Sequence, residues 1–193
     1  MRKAGHLTFV SGGVLLLSGC GQYLGSYTEE SARIVTDIPT SHFGKPSPSY
    51  GQYLEIHLAS ETSLTAIGKE VGTIYVDADF CPLRNEIGLI AFGPFGEDGR
   101  DLSRPAEVGG LNAGKDGLFR YRLYVAVAYT ARATAMPGQV QLPIYNLRRA
   151  NRDLCLRLFA PGYNLIKSRS DTIRVPAAIV SAALKGTPTP RSS

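Results

Sequence analysis

Phe119-Arg120-Tyr121-Arg122-Leu123-Tyr124-Val125-Ala126-Val127-Ala128-Tyr129 alternates along its whole length. In an extended chain, Phe119, Tyr121, Leu123, Val125, Val127 and Tyr129 share one face, while Arg120, Arg122 and Tyr124 fall on the other. That is the period-two pattern of a half-buried strand.

The pattern repeats on both sides of this stretch. Leu54, Ile56 and Leu58 alternate with Tyr53, Glu55 and His57, and Ile74, Val76, Ala78 and Phe80 alternate with Thr73, Tyr75, Asp77 and Asp79. Val140-Leu142-Ile144, Leu154-Leu156-Leu158 and the shorter Ile173-Val175 continue it, and Ile87–Phe92 reads as a short strand buried on both faces. Asp98-Gly99, Gly109-Gly110, Asp116-Gly117, Pro137-Gly138 and Pro161-Gly162 supply the turns between them. Strands at this spacing predict an all-β fold, an antiparallel β-sandwich of immunoglobulin- or transthyretin-like type. At most one short C-terminal helix is expected, at Ala177–Leu184, with Pro176 suited to its first turn and Gly186 to its stop.

The chain has 193 residues, 44% of them hydrophobic and 19% charged, enough for one domain with a core of its own. That balance excludes a chain disordered throughout, and no apolar run approaches the roughly 18 residues needed to span a bilayer as a helix. The expected organisation is a signal peptide over 1–19, a tether over 20–50, a sandwich over 51–185 and a disordered tail over 186–193. The tether reading rests on Gly, Ser, Tyr and Thr with Pro39, Pro46 and Pro48, without sustained periodicity beyond some order near Ile34-Val35.

The signal peptide rests on Arg2 and Lys3 ahead of an apolar stretch from Leu7 to Leu17. Leu17-Ser18-Gly19-Cys20, directly after it, resembles the lipobox of bacterial lipoproteins. The resemblance implies cleavage before Cys20, a diacylglyceryl thioether on its sulfur and fatty acylation, such as palmitate, of its new amino group. Two or more chains anchor stably where one does not. Gly21, rather than Asp, follows Cys20, which by the enterobacterial sorting pattern implies the outer membrane, facing the periplasm. In such an oxidising compartment Cys81 and Cys155 are expected as a disulfide, with two buried thiols as the alternative.

Charge is divided unevenly. Residues 20–119 carry 7 Lys and Arg against 14 Asp and Glu, whereas residues 120–193 carry 12 against 2. One reading is a basic surface of Arg120, Arg122, Arg148, Arg149, Arg152 and Arg157 that docks an acidic protein. Tyr75 and Tyr124, on outer phases, join it as contact candidates. A second reading is attraction to anionic lipid headgroups near the anchor, and a third is mutual neutralisation of acidic and basic strands within the sheets.

Catalytic chemistry finds little support. Gly109 to Lys115 has the spacing of a phosphate-binding loop, but Asp116 stands where Ser or Thr would hold magnesium, and a strand rather than a helix follows. Asp77, Asp79 and Glu86 read as a wet strand face rather than a cation site, and Glu97 to Asp101 as a hairpin tip. His42 and His57 have no partner at metal spacing, and no nucleophile elbow occurs. No catalytic residue, metal or cofactor is therefore expected, and nucleic acid is not an expected partner.

The lipobox, the Phe80-Cys81-Pro82 and Leu154-Cys155-Leu156 strands and Ser170-Asp171-Thr172-Ile173-Arg174-Val175-Pro176 together resemble small periplasmic lipoproteins of the type VI secretion immunity kind. That resemblance implies a non-enzymatic protein that caps a toxin in the periplasm. Gly44-Lys45-Pro46-Ser47-Pro48 and the Tyr124–Tyr129 stretch are similar to segments of the lipoprotein subunit of the type VI secretion membrane complex, which implies a structural role instead. A small-ligand carrier or envelope enzyme, using the sandwich interior as a pocket, is the third alternative.

Overall fold

The computed structural model describes residues 21–41, 50–83, 88–129, 145–161 and 168–187. The signal peptide, Cys20, His42, Glu86 and the strand expected at 140–144 lie outside the described residues. Within them the chain runs β1 (Thr28–Val35), β2 (Tyr53–Ser60), α1 (Leu64–Val71), β3 (Tyr75–Phe80), β4 (Ala91–Gly96), β5 (Phe119–Ala126), β6 (Ala128–Tyr129), β7 (Tyr145–Asn146), α2 (Leu147–Ala150), β8 (Leu154–Ala160), β9 (Ser168–Arg169), β10 (Ile173–Val175) and α3 (Ala177–Lys185).

Two antiparallel sheets face each other. The first has the order β1-β2-β5-β4. The second has the order β10-β8-β3, and β9 continues the β10 edge of β8. β6 and β7 form a small ribbon of their own. In the first sheet Leu54, Ile56 and Leu58 pair with Val125, Leu123 and Tyr121, and in the second Ala78 pairs with Leu156. All are buried, and together with Leu154 and Leu158 they fill the space between the sheets. Each such leucine stabilises the fold by roughly 2 kcal/mol through loss of apolar surface to water. The expected all-β sandwich is the observed architecture.

The expected tether is corrected over its described part. Residues 23–25 lie beside β9, with Tyr23 bridging Arg169, the Leu24 amide donating to the Arg169 carbonyl at 3.0 Å and the Gly25 carbonyl accepting from the Asp171 amide at 3.1 Å. At Gly25, whose φ of +97° disfavours any side chain, the segment turns away from the second sheet. It then becomes β1 at the edge of the first, with Leu24, Tyr27, Ile34, Val35 and Ile38 in the core. The prolines and small residues dominate the composition of 20–50, but Ala32 and Ile34 still face β2 across the register. One strand is enough to make the segment part of the domain.

Two further differences concern helices and β4. Alongside the expected helix, realised as α3, there are α1 and the single turn α2. α1 begins at Ser63, whose hydroxyl accepts from the Ala66 amide, and Gly68 lets residues 105–106 pass so closely that a Cβ would meet their backbone at 2.8 Å. The strand expected at Ile87–Phe92 is displaced to β4, because Leu89 and Ile90 serve as a connector: the Leu89 amide donates to the Ala78 carbonyl.

Cys81 and Cys155 are joined as a disulfide with their Cα atoms 5.0 Å apart. Cys81 immediately follows β3, and Cys155 sits on β8 opposite Asp79, so the bond links neighbouring strands of one sheet.

Candidate partner interface

Three of the six arginines of the predicted basic surface, Arg120, Arg122 and Arg157, pair with acidic side chains of the protein itself. Arg120 donates to Asp116 at 2.6 Å and to Glu30 at 3.2 Å, and Arg157 reaches its cross-strand partner Asp77 at 3.0 Å. Arg174 bonds Asp153, and Arg33 bonds its register partner Glu55 at 2.5 Å. The hydrogen bond from Arg120 holds the Asp116 carboxyl down at about 2. The Arg120 and Arg174 pairs lie at the surface, where such pairs add little to stability, so their main effect is to cancel the uneven charge of the two halves.

Arg122 and Tyr124 were expected on a wet face and are instead buried, at 9% and 1% exposure. Period-two reasoning treats one face of a strand as solvated, whereas β5 is a central strand covered on both sides. Its outer side carries Glu55, which lies 3.3 Å from Arg122 and accepts from the Tyr124 hydroxyl at 3.0 Å. The Arg122 guanidinium also donates to the Gly96 and Glu97 carbonyls at the end of β4, and the Phe95 ring meets Tyr124 edge-on at 5.4 Å. Burial alone would raise the Glu55 carboxyl; hydrogen bonds from His57 and Arg33, and their charges, outweigh it and hold it well below the carboxylate range. This network was not anticipated from sequence, although the lone acid of β2 between apolar neighbours was its one visible trace.

The remaining arginines collect at one end of the sandwich. The Asn146 side chain accepts from the Arg148 amide and starts α2, and Asn151, with φ of +40°, ends it in a left-handed turn. Arg148 is fixed across the end of the molecule, donating to the Leu184 carbonyl and to Gln52 at 2.9 Å. Arg152 donates to the Cys81 carbonyl at 3.1 Å and lies over the Phe80 ring, 4.9 Å from its centre. Arg149 is exposed between them on α2, and Lys185 follows the Leu184 that holds Arg148. The nearby acid, Asp153, is occupied by Arg174 and by the Ala177 amide.

Tyr75 does not belong to this end. It stands at the opposite end of β3, 36% exposed and stacked on Phe159 at 5.5 Å. The structure thus separates the predicted contact residues into a distal trio (Arg148, Arg149, Arg152), a remote tyrosine (Tyr75), two buried residues (Arg122, Tyr124) and a strand-end pairing residue (Arg120).

The stretch 109–115 is an irregular loop that closes on itself, the Gly114 amide donating to the Leu118 carbonyl before β5 begins. It borders a cleft of about 340 Å³ lined by Asp98, Arg100, Asn112 and Arg120, in which Arg100 is paired to Asp98 and Arg120 to Asp116. Asp77 is held by Arg157, and Asp79 accepts from the Phe80 amide. Among the described residues no three His, Cys, Asp or Glu side chains cluster to hold a metal ion, and no helix is long and apolar enough to cross a membrane. Comparison with protein-family models, with curated proteins and with solved structures finds no match.

Proposed function

We propose that the protein is a lipid-anchored, extracytoplasmic β-sandwich that captures an acidic protein partner through its distal arginines, in the manner of an immunity protein that caps a toxin in the periplasm. Leu17-Ser18-Gly19-Cys20 supports the anchor, and a disulfide between Cys81 and Cys155 suits an oxidising compartment. The observation that carries the reading is positional. The chain enters the domain at Tyr23 beside Arg169, whereas Arg148 contacts Gln52 next to the start of β2. Thr28 pairs with Ala59 at one end of the first sheet and Val35 with Tyr53 at the other, so the arginines lie a full strand length, roughly 25 Å, from the point of entry. An anchor at Cys20 therefore holds the arginines away from the leaflet, where a protein rather than a headgroup meets them.

The test is capture from solubilised envelopes, comparing the native chain with the triple variant Arg148→Glu, Arg149→Glu, Arg152→Glu. Specific recovery of one acidic protein by the native chain, and its loss with the variant, is the expected result. Equal recovery by both at low salt overturns the assignment of the arginines. An immunity role further requires that cells lacking the protein be killed by siblings that carry the toxin. Survival of such cells rejects that role.

A further inference from the structure

Four side chains line up across the second sheet at the end where the chain enters. Tyr75 on β3 pairs with Phe159 on β8, Phe159 pairs with Arg169 on β9, and Arg169 bridges Tyr23. Residues directly opposite one another in a sheet share a face. The face is the outer one, because the neighbours Leu158 and Ala160 of Phe159, and Ile74 beside Tyr75, are buried in the core. Tyr23 is 54% exposed and Tyr75 36%, and they are the exposed large hydrophobic side chains among the described residues. Arg169, between them, is exposed. The Tyr23 ring is held in place, its hydroxyl donating to Asp171 at 2.6 Å, and the Ser26 hydroxyl donates to the same carboxylate.

We infer that this Tyr23–Arg169–Phe159–Tyr75 row seats the sandwich on the headgroup layer of a phospholipid bilayer. The inference rests on the lipid anchor proposed above and adds where the domain lies once anchored. Only Gly21 and Gln22 lie between Cys20 and Tyr23, and even fully extended the three steps span no more than about 11 Å. With Tyr23, Leu24 and Gly25 bound to Arg169 and Asp171, the chain is already part of the domain three residues after Cys20, far short of the expected tether. The side chains suit that place. Tyrosine rings sit at membrane interfaces with an apolar body and a polar tip, and a guanidinium binds lipid phosphates. A row with two exposed tyrosines and an arginine beside the mooring is matched to a bilayer surface, and Arg148, Arg149 and Arg152 stay at the opposite end of the molecule, away from it.

The chain contains no tryptophan, so one introduced residue reports its own surroundings. The full chain, produced in a bacterial host and extracted from its membranes, is reconstituted into phosphatidylethanolamine–phosphatidylglycerol vesicles containing brominated lipids. Two variants are compared, Tyr75→Trp on the row and Arg149→Trp at the distal end, and mass spectrometry reads the state of Cys20 in the same samples. The expected result is a blue shift and a loss of emission by bromine quenching for Tyr75→Trp, with Arg149→Trp unaffected. If Cys20 carries its lipid and Tyr75→Trp is unquenched, the seating is wrong and the anchor stands. If Cys20 is unmodified, the anchor reading fails and the seating fails with it.

Discussion

Glu55 on β2 and Arg122 on β5 are diagonal neighbours whose charged groups lie 3.3 Å apart inside the protein. The carboxylate is shared with Arg33, His57 and the Tyr124 hydroxyl, so three strands converge on one acidic group. Removing that group strands a buried guanidinium, which is more damaging than the pair itself is stabilising. Glu55→Ala is expected to lower stability by about 3 kcal/mol in urea unfolding. Arg122→Ala combined with Glu55→Ala is expected to cost less than the sum of the two single changes.

The same group sets an acid limit. The Glu55 carboxyl is depressed in the folded chain relative to the ordinary glutamate value of about 4.3. A depressed folded pKa contributes stability that is complete above the unfolded value and is lost as pH falls through the folded one. Asp98, Asp116, Asp153 and Asp171 are depressed in the same direction. The urea midpoint should therefore fall steadily below about pH 5. In Glu55→Gln the fall should be shallower, and equal slopes would assign the acid sensitivity to the surface aspartates.

Tyr121 joins the first sheet to α1. Its hydroxyl donates to the Thr62 carbonyl at 2.6 Å and accepts from the Leu64 amide at 3.1 Å, and burial pushes the phenol up to about 12. Tyr121→Phe keeps the ring and strands both backbone groups. A loss of about 1–3 kcal/mol is expected in denaturant unfolding. The amides of α1 should also exchange faster with solvent than in the native chain.

The disulfide closes a sequence separation of 74 residues. On the chain-entropy account its removal costs about 4 kcal/mol, because the unfolded chain regains the freedom the bond denied it. Cys81→Ala with Cys155→Ala should lower the guanidinium midpoint accordingly, and reductant should bring the native chain down to the same value. No response to reductant would mean that the two sulfurs are not bonded in solution.

What was legible from sequence follows the physics of alternation. β2, β5 and β8 each bury one apolar set against the other sheet, so leucine, isoleucine and valine at every second position marked them. α3 was legible from Pro176 and Gly186, which bracket it. β1 was missed because Glu29, Glu30 and Arg33 interrupt its pattern: an edge strand has fewer apolar contacts to satisfy. Arg122 and Tyr124 were misplaced because no local pattern reveals that the neighbouring strand β4, past its register shift, brings Phe95 and the Gly96 and Glu97 carbonyls onto the side chains of the outer face of β5. Arg148, Arg149 and Arg152 come together only through a turn ending at Asn151 and a contact with α3, both tertiary.

The passage of residues 22–35 from the edge of one sheet to the edge of the other has a mechanical consequence. A pull between the N-terminal end and the arginine-bearing end runs along β1, and the hydrogen bonds of an antiparallel ladder stand at right angles to it. They are strained in shear and yield together, not one after another as in peeling. A molecule gripped at both ends would resist tearing at this strand.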